Sequence, residues 1–480
     1  MGTAQRGHAR FPIGRAIGVG VVGVAAMVGV MLWLAIGLSH PERPQPEEIE
    51  LADGWSIMVS FYMPPAAVMV AAVFVAIAVL VEQTVSKRYR ISEDADRIPL
   101  APKIVMADTR GVFHGPVTIT VLVPAHNEAE RITATIRGLL EQDNPPERII
   151  VVADNCTDET PELARAAGVE VFETQDNRHK KAGGLNQALR ALLPEFGEND
   201  VVMIVDADTV LDQGYLTEAR RRFTSDRALM AVGGLFYGEP GAGLLGQFQR
   251  NEYTRYSRDI RRRRGKVFVL TGTASAFRPR GLRMVARSRG TLLPGREGDV
   301  YDTAALTEDN ELTLALKSLG GLMVSPNECS VVTEVMPTWR QLWHQRLRWQ
   351  RGALENLGAY GVTPQTTRYW FQQLGIGYGV VSLGAYVALI VLTLMAGHQW
   401  VWYPFWMALG SFFIVERLVT VWRSTWFARF VAVLLIPELI YAAFLNLVFM
   451  RGVVDILLAK QAQWGQQDTA PALDHEDRKE

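Results

Sequence analysis

Acidic side chains stand where the strands of a parallel sheet would bring them together. Asp206 and Asp208 follow the apolar run 201–205, and Asp154 ends the apolar run 148–154. Alternate residues leaving a strand can turn two carboxylates towards one cation, and Mg²⁺ and Mn²⁺ favour oxygen ligands that they share with phosphates. Asp206 and Asp208 are therefore predicted to bind Mg²⁺ or Mn²⁺ together with a diphosphate. For Asp154 alone, capping of the next helix is the simpler interpretation.

Two further segments contain residues suited to the same chemistry. Residues 180–186, KKAGGLN, place Lys181 before two glycines at the start of a helix. Lysine can bind phosphate oxygens, and glycine lets a ligand approach the backbone closely. Residues 307–312, TEDNEL, open another helix with Glu308 and Asp309. Acids at a helix start interact favourably with the helix dipole, which would by itself explain Glu308.

A basic and aromatic segment follows these acids. Residues 341–352, QLWHQRLRWQRG, contain Gln345, Arg348 and Trp349. One interpretation is an interfacial anchor whose basic and aromatic side chains lie against lipid headgroups, namely Trp339, Trp343, Arg346 and Arg351. The arginine run 261–264 has the same explanation. Since 49 basic residues balance 50 acidic ones, a nucleic-acid partner is not expected.

One glycine-rich segment has the residue spacing of a known binding motif but not the surrounding strand and helix that the motif requires. Residues 241–246, GAGLLG, have the spacing of a dinucleotide-binding loop. They follow Glu239 and Pro240 rather than a clear strand, and no β-α-β unit surrounds them. We interpret them as a loop that opens a helix through residues 247–260.

The elements that must position the acids and bases alternate between strand and helix. A β-α-β-α-β-α-β series predicts an α/β fold with a parallel, right-handed, doubly wound sheet. In such sheets ligands bind beyond the carboxyl ends of the strands, which adds Pro124, Ala125, Asn127 and Glu128 to the predicted cleft. Strands are predicted at 117–123, 148–154, 169–173 and 201–205, and helices at 128–141, 157–167 and 184–193.

The composition is uneven along the 480 residues. Contents of 49% hydrophobic and 21% charged residues exclude disordered, collagen-like and disulfide-scaffold classes. The two cysteines, Cys156 and Cys329, provide neither a disulfide framework nor a zinc-binding spacing. Because the apolar residues concentrate at the two ends, we predict that membrane helices flank the α/β domain.

Two uncharged runs near the amino terminus, 17–38 and 55–81, are each long enough to span about 30 Å of hydrocarbon as a helix. Basic residues precede the first run and follow the second, whereas the segment between them is acidic. The positive-inside bias therefore places everything after residue 82 in the cytosol. A cleaved signal peptide is the alternative for the first run, although the run exceeds the usual signal core of about 7–15 residues.

About three further spans are predicted near the carboxyl terminus, two within 369–415 and one at 430–450, which residues 452–458 would extend. Glu438 lies in the last span, where an ionisable group indicates either a polar pathway or a satisfied contact between helices. The predicted organisation is a membrane region 1–90, a linker 91–114, a cytosolic domain 115–335, interfacial helices 336–368, a membrane region 369–450 and a polar tail 451–480.

Six short motifs, in a fixed order over residues 117–352, carry a family resemblance. They are VLVPAHNE, DNCTDET, KAGGLN, VDADT, LTEDNEL and QRLRW. Together they resemble the membrane-embedded inverting family 2 glycosyltransferases, which include cellulose, chitin, hyaluronan and poly-N-acetylglucosamine synthases. Each motif is weak alone, whereas six in register are specific. One segment departs from the family pattern, because residues 269–273, VLTGT, lack the aromatic pair and the cysteine of its acceptor segment.

The resemblance implies a GT-A fold, the fold of nucleotide-diphospho-sugar transferases, and a role for each motif. The nucleotide would be bound by Pro124, Ala125, Asn127 and Glu128, with Asp154 on the uracil and Lys181 on the diphosphate. Asp206 and Asp208 would hold the nucleotide and its metal. Asp309, beside Glu308, would be the base, and Gln345, Arg348 and Trp349 would close the site.

The implied reaction transfers a sugar from a UDP-sugar with inversion and forms a β-linked polysaccharide that is exported as it grows. The implied partners are the donor, a glycan or lipid acceptor and the lipid bilayer. The implied location is the plasma (inner) membrane, as a multi-pass protein with its catalytic domain in the cytosol. Transfer of one sugar to a lipid or other membrane-proximal acceptor is the alternative, and a nucleotide-sensing transporter or anchored binding module is a third hypothesis.

Overall fold

The computed structural model describes residues 47–50, 56–59, 116–263, 265–395, 401–402, 411, 414–415, 417–422 and 424–460. The first predicted span, 17–38, the tail 461–480 and most of the run 55–81 lie outside these residues. The strands are β1 (Glu47–Glu50), β2 (Ser56–Val59), β3 (Thr118–Ala125), β4 (Arg148–Ala153), β5 (Glu170–Glu173), β6 (Asp200–Val205), β7 (Val210–Leu211), β8 (Leu229–Gly233), β9 (Leu235–Gly238), β10 (Ala274–Phe277), β11 (Leu322–Val324), β12 (Ser330–Thr333) and β13 (Val401–Trp402).

Eleven helices have bounds within the described residues, and residues 417–420 are also helical. They are α1 (Ile132–Leu140), α2 (Thr160–Ala166), α3 (Lys180–Leu192), α4 (Tyr215–Ser225), α5 (Gly243–Arg262), α6 (Pro279–Ser288), α7 (Glu308–Ser318), α8 (Trp339–Tyr360), α9 (Thr367–Met395), α10 (Trp426–Val433) and α11 (Leu435–Leu457).

The central sheet has seven strands in the order β11-β8-β10-β6-β3-β4-β5. Neighbouring strands are parallel except at β10, which runs antiparallel to both β6 and β8. The predicted mostly parallel α/β sheet is therefore confirmed, and β3, β4, β5 and β6 are its four predicted strands. A smaller sheet, β7-β12-β9, lies beside it.

The strands β4, β6 and β8 are buried on both faces, which explains why they are apolar after their first residue. In β6, Val202 and Ile204 pack into the core on one face with α3, α6 and α7. Val201, Met203 and Val205 alternate with them and pack into the core on the other face with α1 and α4. The carboxyl ends of the parallel strands are left open between these helical layers, and the predicted site residues lie there.

Three helices begin at residues other than those predicted. α1 starts at Ile132 rather than 128, after a loop in which Asn127 adopts a left-handed conformation (φ +55°). α2 starts at Thr160, because Asp158 Oδ1 accepts a hydrogen bond from the Thr160 amide (3.1 Å) in the turn before it. α3 starts at Lys180, four residues earlier than predicted, and so places Lys181 in its first turn.

Two short strands occupy positions that the membrane prediction assigned otherwise. β2 covers the start of the predicted span 55–81. β13 lies in the turn predicted between the two helices of 369–415 and pairs in parallel with β2, with Val401 opposite Met58. Because β1 pairs with β2, the three strands form a separate sheet. Backbone pairing of this kind was not predicted.

The helix predicted at 430–450 is interrupted. Leu434 is extended (φ −75°, ψ +100°), so α10 ends at Val433 and α11 begins at Leu435. The reason lies at Pro437, which lacks an amide hydrogen and is tolerated in the first turn of a helix but not in its interior. α11 continues to Leu457, so residues 452–457 extend the helix. By length and composition, Pro437–Leu457 is the one described helix that could cross a membrane.

Contacts between helices join the carboxyl-terminal region to the α/β domain. Leu354 of α8 packs with Phe449, Val453 and Ile456 of α11, and side chains of α9 surround this cluster. Glu438 is buried and pairs with Arg417 and with Arg255 of α5. Of the two interpretations offered for Glu438, a contact between helices is the one observed, through these ion pairs, and Glu438 Oε1 has no hydrogen-bond partner among the described residues.

Candidate active site

The loop after β3 forms one wall of the predicted cleft. Pro124 and Ala125 are the last two residues of β3, and Asn127 follows them. Asn127 Oδ1 accepts hydrogen bonds from the Thr157 amide (2.8 Å) and from the Thr157 hydroxyl (3.3 Å). The loops after β3 and β4 are thereby fixed to each other, as expected for two neighbouring parallel strands.

Asp154, at the end of β4, is held by the loop that follows β5. Its Oδ1 accepts hydrogen bonds from Thr174 Oγ1 (2.7 Å) and Asn177 Nδ2 (2.7 Å). α2 has no side-chain cap, so helix capping does not explain Asp154. Gly184 of α3 approaches so closely that a Cβ there would lie 3.6 Å from Asp154 Cβ. The carboxylate is therefore fixed at the strand end, beside the first turn of α3.

Lys181 forms ion pairs with two acids, Asp206 after β6 and Glu308 at the start of α7. Its Nζ lies 2.5 Å from Asp206 Oδ1 and 3.2 Å from Glu308 Oε1. Burial alone would lower the pKa of Lys181, but the carboxylates of Asp206, Glu308 and Asp309 raise it above its usual range. Lys181 therefore stays charged, and it can bind an anion in this cleft.

Gly272 is the point on which three of these side chains converge. A Cβ built on Gly272 would lie 3.4 Å from Asp309 Oδ2, 3.5 Å from Lys181 Nζ and 3.7 Å from Asp206 Oδ2. The Gly272 amide also donates a hydrogen bond to Asp309 Oδ2 (3.1 Å). Three motifs that are far apart in sequence therefore meet at one backbone position. Glycine leaves the space in front of them open.

The acids on the β6 side repel one another when they are all ionised. Burial raises the pKa of Asp206 to about 6; Lys181 opposes this rise, and Asp208 adds to it. Burial also raises the pKa of Asp208 above its usual range. Burial and the charge of Asp208 raise the pKa of Glu128 to about 7. A divalent cation would relieve this repulsion, and carboxylate oxygens are the ligands that Mg²⁺ and Mn²⁺ favour.

Protein side chains alone do not complete a metal site here. Among the residues that the structure describes, no group of three or more His, Cys, Asp or Glu side chains is arranged to hold a metal ion. Asp206 and Asp208 can supply two carboxylates, and phosphate oxygens of a bound nucleotide would supply further ligands, as is common for Mg²⁺. The donor set therefore fits a cation that arrives with a diphosphate.

Glu308 and Asp309 are neighbours whose pKa values shift in opposite directions. Burial opposes ionisation of Glu308, but Lys181 and Arg348 outweigh it and hold the pKa of Glu308 below its usual range. Burial and the negative charge of Glu308 raise the pKa of Asp309 to about 6. Neighbouring carboxyl groups whose pKa values are shifted apart in this way are typical of acid–base sites. Asp309 can accept a proton near neutral pH while Glu308 remains charged.

Helix α8 docks directly on the start of α7. A Cβ on Gly352 would lie 2.6 Å from Thr307 Oγ1, so no side chain fits between the two helices. Four residues later, Asn356 Nδ2 donates to the Thr307 carbonyl (3.2 Å), the Thr307 hydroxyl (3.2 Å) and Asn310 Oδ1 (3.3 Å). This contact sets the position of α8 relative to Asp309.

The predicted triad on α8 lies on the side that carries this contact. Gln345, Arg348 and Trp349 are three and four residues apart, so they share one helical face. The positive charge of Arg348 lowers the pKa values of both Glu308 and Asp309. Gln345 Oε1 is buried without a hydrogen-bond partner. A buried acceptor of this kind is suited to a hydroxyl or amide donor from a ligand.

The interfacial-anchor interpretation is wrong for Arg346, which is only 3% exposed. Its Nη2 lies 2.9 Å from Glu252 Oε2 of α5, and its guanidinium carbon lies 4.3 Å from the centre of the Trp349 ring. Arg351 is also buried, with its Nε 2.7 Å from Glu355 Oε1. Trp339, by contrast, is exposed.

The enclosed space behind the acids is small. A cavity of about 10 Å³, lined by Lys181, Glu308, Asp309 and apolar side chains of the core, has room for about one water molecule. The cavity is too small for a nucleotide, so a ligand of that size would have to bind on the open side of these residues.

The sequence of this domain matches a family model described as "Glycosyltransferase like family 2", over residues 116–352. Residues 116–352 are a family 2 glycosyltransferase domain. All the predicted site residues lie within it. The resemblance inferred from the six motifs is therefore confirmed at the level of the domain family.

The domain is similar to two curated polysaccharide synthases. The chain is 28% identical over 283 residues to the poly-β-1,6-N-acetyl-D-glucosamine synthase of Staphylococcus aureus strain COL, a match that covers 57% of this chain and 64% of the relative. It is 26% identical over 246 residues to the Staphylococcus epidermidis enzyme of the same name, covering 50% of this chain and 55% of the relative. The matches thus span less than two thirds of either relative.

A solved structure shares the fold of the glycosyltransferase domain and its neighbouring helices. A mannosyltransferase from Pyrobaculum calidifontis, in complex with GDP-mannose and Mn²⁺, superposes with a TM-score of 0.52. The match covers 82% of this chain and 98% of the mannosyltransferase at 18% sequence identity. At this identity the likeness shows the fold alone, and it supports the predicted GT-A architecture.

One buried network of the glycosyltransferase domain was not predicted from the sequence. Arg289 donates two hydrogen bonds to Glu311, from Nη1 to Oε1 (2.7 Å) and from Nη2 to Oε2 (2.8 Å). The Tyr360 hydroxyl donates to Glu311 Oε1 (2.6 Å). The network ties α7 and α8 to the end of α6. The one local indication was Glu311 itself, an acid at the start of the apolar run LTLAL.

Proposed function

We propose that this chain transfers a sugar from a UDP-sugar to the hydroxyl group of a growing glycan, with inversion at the sugar C1, and forms a β-linked polysaccharide. The observation that carries the proposal is the convergence of Asp309, Lys181 and Asp206 on Gly272. A proton acceptor, a phosphate-binding cation and a metal-binding carboxylate then face one open space. That is the set of groups that displacement of a nucleoside diphosphate requires.

In the proposed reaction, Asp309 accepts the proton of the acceptor hydroxyl as its oxygen attacks C1 from the face opposite the leaving group. The bond between C1 and the diphosphate oxygen breaks, and UDP leaves with the bonding electrons. Lys181 and Arg348 stabilise the negative charge that develops on the diphosphate. Mg²⁺ or Mn²⁺, held by Asp206 and Asp208, would supply further charge neutralisation at the same oxygens. One displacement inverts the configuration, so an α-linked donor gives a β-linked product.

The remaining roles follow from position. Pro124, Ala125, Asn127, Glu128 and Asp154 surround the carboxyl ends of β3 and β4, where the nucleotide of a doubly wound fold binds. Gln345 and Trp349 lie on the same helical face of α8 as Arg348, whose charge acts on Asp309. We assign the nucleotide to the first group and the acceptor to the second.

The donor is proposed to be UDP-N-acetylglucosamine and the product a β-1,6-linked polymer. This assignment rests on the similarity to the two poly-β-1,6-N-acetyl-D-glucosamine synthases. We further propose that the enzyme is processive and exports the chain through its membrane region.

We propose a multi-pass location in the plasma (inner) membrane, with the catalytic domain in the cytosol. Pairing of β2 with β13 supports this topology, since it joins the outer end of the second predicted span to the predicted connection between two carboxyl-terminal spans. Both strands would lie on the outer side of the membrane. The apolar helix Pro437–Leu457 agrees with attachment to a bilayer.

The decisive experiment is a donor screen with product sizing. The purified full-length protein is incubated in detergent or lipid nanodiscs with Mn²⁺ and one of UDP-N-acetylglucosamine, UDP-glucose or UDP-glucuronate, and UDP release is measured. We expect release with UDP-N-acetylglucosamine, together with long products cleaved by a β-1,6-specific glucosaminidase. Products limited to one sugar on a lipid would instead support the non-processive alternative. Nucleotide binding with no UDP release from any donor would support the third hypothesis, a sensing module.

A further inference from the structure

A second cavity lies apart from the candidate active site, between α5 and the segment 417–422. Its volume is about 310 Å³. It is lined by Arg255, Tyr256, Arg258, Asp259, Arg262 and Thr420. None of these residues takes part in the proposed reaction. Small-ligand sites begin at about 300 Å³, so the cavity is large enough for a compact polar group.

The charge of this cavity is positive. Three of its lining residues are arginines, and its single carboxylate, Asp259, is engaged by Arg263 one turn later (Nη2–Oδ2 2.7 Å). Arg258 Nη1 donates to the neutral hydroxyl of Thr420. Arg255 pairs with Glu438 (Nη1–Oε1 3.5 Å), but that carboxylate also pairs with a further arginine, Arg417. Arginines outnumber carboxylates, so an anion would be attracted to the cavity.

The segment on one side of the cavity continues into an exposed aromatic surface. Trp422 is 57% exposed and Trp426 is 81% exposed, and Phe427 and Phe430 of α10 are exposed as well. The guanidinium carbon of Arg429 lies 5.1 Å from the Trp422 ring and 4.9 Å from the Trp426 ring. Tryptophan is enriched where a protein meets the boundary between lipid headgroups and hydrocarbon.

We propose that this cavity binds the phosphodiester headgroup of an anionic phospholipid, whose acyl chains lie along the aromatic surface of Trp422, Trp426 and Phe430. Arginine forms bidentate hydrogen bonds with phosphate, and its weak hydration suits a site at a membrane surface. The adjoining aromatic surface favours a lipid over a free anion, since inorganic phosphate has no apolar part to cover it. The site concerns membrane attachment and does not depend on which sugar is transferred.

The test is native mass spectrometry of the full-length protein in detergent, titrated with phosphatidylglycerol or phosphatidylcholine. The double variant Arg258→Gln/Arg262→Gln removes two arginines from the cavity. The matched control Arg137→Gln/Arg287→Gln removes the same charge from exposed positions on α1 and α6. We expect the wild-type protein and the control to retain phosphatidylglycerol equally. The cavity variant should bind phosphatidylglycerol about thirtyfold more weakly, because each of the two arginines removed contributes about 1 kcal/mol near an anionic headgroup and about 1.4 kcal/mol is a factor of ten.

Other outcomes would overturn the proposal. Equal losses in the two double variants would mean that general surface charge, rather than the cavity, binds the lipid. Equal retention of phosphatidylcholine and phosphatidylglycerol would exclude selection of an anionic headgroup. Displacement of phosphatidylglycerol by millimolar inorganic phosphate would identify a free-anion site instead. Mass spectrometry measures binding without turnover, so a failed lipid test and a failed donor screen are distinguishable.

Discussion

The guanidinium of Arg346 stacks on the ring of Trp349, with 4.3 Å between its carbon and the ring centre. Glu252 Oε2 accepts a hydrogen bond from Arg346 Nη2 (2.9 Å) and another from the Tyr441 hydroxyl (2.6 Å). Tyr441 belongs to α11, the helix apolar enough to cross a membrane. A chain of four side chains therefore runs from the proposed acceptor site to the proposed membrane region.

Arg346 is expected to position Trp349 without contacting the substrate. Arg346→Lys keeps the charge but loses the planar stack, so we expect shorter products and a lower kcat with less than a twofold change in the KM for the UDP-sugar. Tyr441→Phe removes one hydrogen bond, worth about 1 kcal/mol, and should have the same effect in a weaker form. Arg340→Lys, at an exposed position of the same helix, is the control. A rise in donor KM with unchanged product length would contradict this role.

Asp309→Asn is expected to lower the transfer rate by a factor of at least 100, because positioned proton transfer contributes about 10²–10⁴ to a rate. UDP binding should survive, since Asp309 carries no predicted nucleotide contact. Initial rates and UDP affinity by calorimetry would be measured side by side. Asp143→Asn, at an exposed position, is the matched control. Full turnover in the Asp309→Asn protein would rule out its assignment as the base.

The pH dependence of the reaction should report on Asp309. A base must be deprotonated to act, and burial with the neighbouring Glu308 raises the pKa of Asp309 to about 6. We therefore expect kcat/KM to rise with pH, to reach half of its maximum near pH 6 and to level off about one pH unit higher. Glu308→Gln removes a negative charge that disfavours ionisation of Asp309, so the rise should move to lower pH. The charges of Lys181 and Arg348 act on Asp309 in the same direction and remain in that variant. An unmoved midpoint would argue against this coupling.

Loss of the metal site should abolish both activity and its dependence on a metal. We expect EDTA to stop UDP release from the wild-type protein and added Mn²⁺ to restore it. Asp208→Ala should leave activity near background at every Mn²⁺ concentration, because one of two carboxylate ligands is gone. Glu130→Ala removes an exposed acid from the loop before α1 and should behave as wild type. Mn²⁺-stimulated turnover in the Asp208→Ala protein would exclude Asp208 as a ligand.

The pairing of β2 with β13 makes the proposed membrane topology testable. Met58 lies opposite Val401, so cysteines at these two positions are close enough for a disulfide when the strands pair. We expect the pair Met58→Cys/Val401→Cys, made in a protein whose Cys156 and Cys329 are serine, to oxidise spontaneously in cells if both strands lie outside the cytosol. Thiol counting by maleimide labelling and mass spectrometry would show the loss of both thiols. The pair Glu50→Cys/Val401→Cys, whose residues are not partners, should stay reduced.

Sequence reasoning located the four strands β3 to β6 because buried strands depend on local order. Buried parallel strands are continuous apolar runs, and the ligand side of such a sheet follows from topology. The start of α1 was misplaced because the left-handed turn at Asn127 depends on Thr157, a neighbour thirty residues away. Convergence on Gly272 and the Arg289–Glu311 pair likewise require contacts between distant segments. The local sequence contains no indication of the first, and its one indication of the second is Glu311, an acid at the start of an apolar run.

The membrane prediction was less successful because composition does not reveal backbone breaks. The side chains of residues 430–436 are all apolar, so the sequence predicts that they belong to one continuous helix. The backbone of Leu434 is nevertheless extended, which divides the helix. Pro437 was the available indication, and it was assigned to a helix interior. The anchor interpretation of Arg346 was wrong for a related reason, since its partner Glu252 lies on a different helix and could not be paired with it from spacing alone.

The contact between Gly352 and Thr307 is a fixed point about which α8 can tilt. Trp339 lies thirteen residues before Gly352, about 20 Å along the helix, whereas Trp349 lies three residues before it, about 4.5 Å away. A tilt about this contact that moves the Trp339 end by about 2 Å would therefore shift Trp349 by about 0.5 Å, by proportion of those lengths. A displacement of the end of α8 beside α11 would therefore move the proposed acceptor side of the site by about a quarter as much. Asp309 would keep its position relative to the contact between Gly352 and Thr307.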